Sequence, residues 1–170
     1  VKSKEIHAVI RQLADTYREL YAPVHQFIES RPLAREKFQL NFEASIVNAG
    51  FLESFFEIVS HGVIGTFCGF ENGHKMLRSI LQRYDFNIGE GVKAFLIEIT
   101  DSIENDKRLG GKPVRVVDQI RKGKSVLALY DLIFSLDYLK PRYALRMGDK
   151  ELHQLSPGER GTLLLVFYLL

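Results

Sequence analysis

RYALRMGDKELHQLSPGERGTLLL (Arg142–Leu165) decides how the C-terminal part of this chain folds. Tyr143, Leu145 and Met147 recur at every second position and run into Gly148-Asp149, a pattern that predicts a strand, a tight turn and a hairpin. The hairpin delivers the chain to Leu155. Ser156 then stands where a helix wants an N-cap, Pro157 where it wants its first residue, and Glu159 three residues after the cap. These features predict a helix through Gly161 to Leu170, apolar enough to be buried. Gly158 is the residue a simple cap does not need, because glycine in a helix costs up to ~1 kcal/mol against alanine. A missing side chain at a helix start lets an anion approach free amides in the favourable field of the helix dipole. The Ser156 hydroxyl stands beside that position.

Upstream, Ser125 to Leu136 reads as a helix, and Pro113 to Val117 as an apolar-rich segment before it. ENDKRLGGKP (104–113) combines charge, paired glycines and a proline, which predicts a mobile linker. Helices are predicted at Gly50 to Ser60, Lys75 to Tyr84 and Glu90 to Ile103. Between the first two, glycines at 62, 65, 69 and 73 predict a loop over His61 to Gly73. Phe38, Leu40, Phe42, Ala44 and Ile46 alternate with polar residues, the period of a half-buried strand. At the N-terminus, Ile6, Ile10, Leu13, Tyr17, Leu20, Val24 and Phe27 alternate spacings of four and three. That spacing fits a coiled-coil seam or an amphipathic helix on a globular core, with Pro23 splitting it near Ala22.

The expected fold is therefore α+β and mostly helical. A coiled-coil-like helix (1–30) is followed by a small mixed α/β lobe (31–103), the linker (104–113) and a subdomain (114–170) in which the hairpin leads into the capped helix. At 170 residues and 46% hydrophobic, the chain can bury a sizeable core. A net charge of +2 gives no global argument for a polyanionic partner. Cys68 is the single cysteine and excludes an internal disulfide, which favours a reducing compartment. No apolar run reaches the ~18 residues of a membrane span, so a cytoplasmic protein with no membrane partner is expected. The chain opens at Val1 inside a helical pattern and closes on Leu169-Leu170 without a cap. Both ends read as cuts in a longer protein.

Three constellations imitate chemistry. Gly123-Lys124-Ser125 between an apolar run and a helix resembles a P-loop, but Asp118 stands where the leading glycine belongs, and Gln119, Ile120 and Arg121 are bulky where amides must curl around phosphate. His61, Cys68 and His74 match no zinc spacing and lack a fourth ligand, so a buried cysteine and surface histidines are expected. Lys107, Arg108, Lys112, Arg115, Arg121, Lys122 and Lys124 form a basic cluster, but no aromatics interleave with them to stack bases. No nucleophile elbow or zinc-protease motif is present, so no catalytic residue is nominated.

LHQLSPGERGTLLL, with SLDYLKPRYALRMGDKELHQ leading into it, resembles the signature motif of ABC-type ATPases in the Leu-Ser-x-Gly-Glu-Arg form of the SMC and DNA-repair branch. It is closest in form to bacterial SMC-like ATPases carrying Leu-Ser-Pro-Gly-Glu-Arg-Gly, some joined to phosphoesterase domains or anti-phage systems. The resemblance covers about the last 40 residues. It implies that Ser156 and Gly158 close over the γ-phosphate of ATP held by the P-loop of a second nucleotide-binding domain. Glu159 and Arg160 would flank the nucleotide or fix the loop. It further implies ATP and Mg2+ as cofactors of a full-length homodimer, the rest of the ATPase domain and a second protomer as partners, and DNA as a possible one. The P-loop and the Walker B strand are absent from the 170 residues, so this chain is expected to be inactive alone. The alternative is a helical protein-interaction module in which SPGERG is only a cap.

Overall fold

The structure, a computed structural model, describes residues 2–30, 39–109 and 112–169. Phe38 at the head of the expected strand, Gly110-Gly111 of the expected linker and Leu170 lie outside the described residues. The fold is mostly helical α+β, with α1 (Lys2–Leu20), α2 (Ala22–Glu29), β1 (Leu40–Asn48), α3 (Phe51–Ile58), α4 (Phe70–Arg83) and α5 (Gly89–Glu104). The short strands β2 (Asn105–Asp106) and β3 (Lys112–Pro113) follow, then α6 (Val126–Ser135), β4 (Leu139–Met147), β5 (Lys150–Glu151) and α7 (Pro157–Leu169). The chain divides into two compact units, Val1–Ile10 with Ile46–Lys140, and Arg11–Ser45 with Pro141–Leu170. No helix among the described residues is long and apolar enough to cross a membrane.

The first unit is built on aromatic rings. Phe51, Phe55, Phe67 and Phe95 are fully buried among Leu77, Ile80, Ile99, Ile103, Leu129 and Ile133. Edge-on contacts order them, Phe51 against Phe95 at 5.4 Å and Phe55 against Phe67 at 4.9 Å, the geometry that the ring quadrupole favours. Each such side chain contributes ~1.5–3 kcal/mol on burial. Two glycines let backbones touch. A Cβ on Gly73 would lie 2.3 Å from the Phe67 carbonyl oxygen, and one on Gly91 2.0 Å from that of Asp85. Gly73 therefore belongs to α4, which begins at Phe70 and not at Lys75 as the glycine count predicts. Glycine marks close packing there, not a loop.

The segment expected to be an open linker is structured where it is described. β2 and β3 pair antiparallel, Asn105 opposite Pro113 and Asp106 opposite Lys112. Asp106 is completely buried and its carboxylate accepts from the backbone N–H and the guanidinium of Arg108. Thr66 Oγ1 donates to the Asn105 carbonyl and accepts from the Lys107 amide. Charge in this stretch serves internal pairing, which composition alone does not separate from solvation.

The second unit holds the hairpin and the capped helix. In the sheet, β4 lies between β1 and β5, and Arg146 of β4 stands opposite Glu151 of β5. Gly148, at φ +58, makes the turn that Gly148-Asp149 predicts. Ile28, Leu40, Leu155 and Leu163 form the core, with Phe27, Leu145 and Met147 packed against it. Pro23 splits the N-terminal helix as expected, with Tyr21 between α1 and α2. The buried edge of α1 is His7 and Ala14, whereas Leu13 and Leu20 of the heptad seam are 45% and 67% exposed. Helix α1 thus packs along one side of its apolar arc.

Candidate functional site

The site grows from the turn between β5 and α7. Gly148 reverses the chain, β5 pairs back on β4, and one 3-10 turn (Leu152–Gln154) brings Leu155 into the core. Anchoring Leu155 fixes the start of α7 beside it. The cap forms as the spacing predicts: the Ser156 amide donates to Glu159 Oε2 at 2.7 Å, and the Glu159 amide donates to Ser156 Oγ at 3.3 Å. Both partners of a capping box are present.

Glu159 is bound twice, since its Oε1 also accepts from Lys150 Nζ at 2.8 Å. The lysine ammonium and the Ser156 donors hold its carboxyl at about 2, far below its ordinary 4.5. Arg160 turns back over the loop, donating through Nε to the Leu155 carbonyl and through Nη2 to that of His153, both at 3.0 Å. These contacts tie Glu159 and Arg160 to their own loop.

Ser156, Pro157 and Gly158 are exposed. Among the first-turn amides, those of Ser156 and Glu159 are used by the box, Pro157 has none, and Arg160 donates to the Ser156 carbonyl at 3.0 Å. The Gly158 N–H makes no hydrogen bond among the described residues. A Cβ added at Gly158 meets nothing within 4 Å, and the same holds at Gly161. The protein's own packing therefore gives no reason for glycine at either position. The Ser156 hydroxyl is engaged with Glu159, its oxygen accepting from the Glu159 amide and its side chain helping to keep the carboxylate charged. Beside the loop lies a cleft of about 740 Å³ lined by Arg142, Leu145, Leu152, His153, Arg160 and Leu164 among others. Leu164 and Leu165 are 59% and 58% exposed, so α7 is buried along one side through Leu163 and not all round, as the apolar run predicts.

The P-loop imitation is closed by its own contacts. Gln119 is buried and its amide donates to the Ile103 carbonyl at 2.7 Å. Ile120 bridges to Val59, and the amides of Ile120, Arg121 and Lys124 donate to Val117, Ile58 and Arg121. Ser125 caps α6 through the Ala128 amide. His61 and His74 are half-buried members of a ring stack rather than surface residues, and Cys68 is half-buried rather than buried. Among the described residues, no group of three or more His, Cys, Asp and Glu side chains is placed to hold a metal ion. The basic cluster is partly neutralised, since Lys107, Arg108 and Arg115 pair with Asp101, Asp106 and Asp118. Set against protein families, curated proteins and solved structures, the chain matches none of them.

Proposed function

We propose that this chain supplies the signature motif of an SMC-like ABC ATPase, in which the exposed start of α7 closes on the γ-phosphate of ATP held by a second nucleotide-binding domain. The single observation carrying this reading is Gly158, which is exposed and whose side-chain space is open. Glycine there lowers helix stability without relieving any contact inside the protein, so an approaching ligand gives its reason. Ser156 and Gly158 make the phosphate contacts, while Glu159 and Arg160 hold the loop in shape. Lys150 pairs with Glu159 and offsets a carboxylate charge that would oppose an anion. ATP and Mg2+ then act in a homodimer of the complete protein, with ATP binding and hydrolysis coupled to dimerisation in DNA repair or phage defence.

The test is made in the complete protein. Ser156→Asp places a carboxylate against the phosphate, and Gly158→Ala places a methyl group in its path. Both variants should fold and yet lose ATP-driven dimerisation and ATPase activity. Wild-type activity in both would leave SPGERG as a cap on a protein-interaction module.

A further inference from the structure

A second surface lies in the first unit, where the fold assembles what the sequence keeps apart. Phe56 of α3 stacks on His61 at 4.2 Å and on His74 of α4 at 4.4 Å, with the two imidazoles 5.0 Å apart. Phe70 closes the row, 4.5 Å from His74 and 5.3 Å from His61. Phe56 is buried, the histidines are half-buried, and Phe70 is 69% exposed. The ring cluster thus runs from buried Phe56 to exposed Phe70. A cleft of about 740 Å³ opens beside Phe70 and His74, with Glu53 and Glu71 offset by Lys75 and Arg78.

The basic turn is stitched to the same place. The Arg121 amide donates to the Ile58 carbonyl at 2.8 Å, Arg121 Nε donates to the Val59 carbonyl at 3.3 Å, and the Ser60 amide donates to the Gln119 carbonyl at 2.8 Å. These bonds lay residues 119–121 along 58–60, whose next residue is His61. The Lys124 amide donates to the Arg121 carbonyl at 3.0 Å, folding Lys122 and Lys124 back on Arg121. All three cations are exposed, and none forms an ion pair among the described residues. The nearest acid in sequence, Asp118, is held by Arg115.

The geometry points to a binding surface for single-stranded nucleic acid, with a base stacked on Phe70 at the outer end of the ring row and successive phosphates on Arg121, Lys122 and Lys124. Flat π faces beside a short run of unpaired cations match an anionic polymer whose bases are free to stack, and a duplex hides those faces. A bare polycation would bind duplex at least as well, since duplex DNA carries the denser charge. This surface is separate from the start of α7 and does not depend on the reading of that site.

The experiment is fluorescence anisotropy of the 170-residue protein with labelled dT12, U12 and a 12-base-pair DNA duplex, across a salt series. Expected is binding of single strands in preference to duplex, with dT12 and U12 separating DNA from RNA as the source. Three phosphate contacts give a log–log salt slope of about −2 for a single strand. Phe70→Ala should weaken binding about tenfold, the scale of one stacked base, and Phe70→Trp should restore it. Lys122→Glu with Lys124→Glu should abolish binding. The exposure of these side chains keeps the variants folded, which thermal melting verifies. Absent binding, equal or tighter binding of duplex, or indifference to Phe70→Ala would each overturn the proposal.

Discussion

Glu159 uses both carboxylate oxygens on its own loop, one on Lys150 and one on the Ser156 amide, and this makes the cap visible to pH. Its folded carboxyl sits at about 2 against an ordinary 4.5, so the charged form is the one that the fold prefers. The stability it contributes is complete above 4.5 and is lost as pH falls through about 2. A carbon-detected NMR titration should find Glu159 still ionised at pH 3, and Lys150→Ala should move its midpoint upward. A midpoint near the ordinary value in the unmutated protein would mean that the box does not hold in solution. Next to it, Ser156→Ala should lower stability by about 1 kcal/mol while Ser156→Asp stays near neutral, because aspartate caps as well as serine. Gly158→Ala should raise the melting temperature, adding up to ~1 kcal/mol, since its methyl group meets nothing. A destabilised Gly158→Ala would show that the glycine serves the fold.

At the scale of elements, the same substitution in α4 or α5 should act in the opposite direction. Gly73→Ala and Gly91→Ala drive a methyl group into a neighbouring carbonyl oxygen at 2.3 and 2.0 Å, and overpacking of this kind costs ~1–3 kcal/mol, readable by denaturant unfolding. The contrast marks what sequence could and could not say. The hairpin, the split at Pro23, the cap at Ser156 and the helices α3, α5 and α6 were legible because their signals are local: a period, a turn dipeptide, a capping residue. Gly73 was not, because a glycine that lets two backbones meet is spelled like one that loosens a loop. Asp106 was not, because burial of a charge depends on Arg108 and the Asn105–Pro113 pairing, which the charge run hides. The ring stack was out of reach for the same reason, since Phe56, His61, Phe70 and His74 meet only once α3 and α4 have packed. That stack has its own pH signature. Burial first, then His74 and Arg121, lower the pKa of His61 below its ordinary 6.5. The unfolded chain therefore takes the proton first, and stability falls as pH drops through 6.5 and levels off below the folded value. His61→Phe keeps a ring in the row and should flatten this dependence in thermal melts between pH 7 and pH 5; an unchanged slope would assign the dependence to another group.

For the molecule as a whole, the question is whether the chain can process a nucleotide unaided. Hydrolysis needs a loop whose free amides curl around phosphates, a lysine reaching them and a carboxylate holding Mg2+. The one stretch that imitates such a loop uses its amides elsewhere: Ile120, Arg121 and Lys124 donate to backbone carbonyls, and Gln119 is buried against Ile103. The start of α7 leaves a single amide, that of Gly158, without a bond among the described residues, too few to build a phosphate shell. Purified 170-residue protein should therefore show no Mg2+-dependent ATP turnover, and Lys124→Ala should leave its stability unchanged. An NMR titration with ATP and Mg2+ locates any contact directly. Shifts confined to the Ser156–Gly158 amides would fit a surface waiting for a partner's nucleotide. Saturable turnover that survives removal of contaminating ATPases and disappears in Lys124→Ala would make the Arg121–Ser125 segment a working phosphate loop, and the assignment of α7 as the signature half of a divided site would fail.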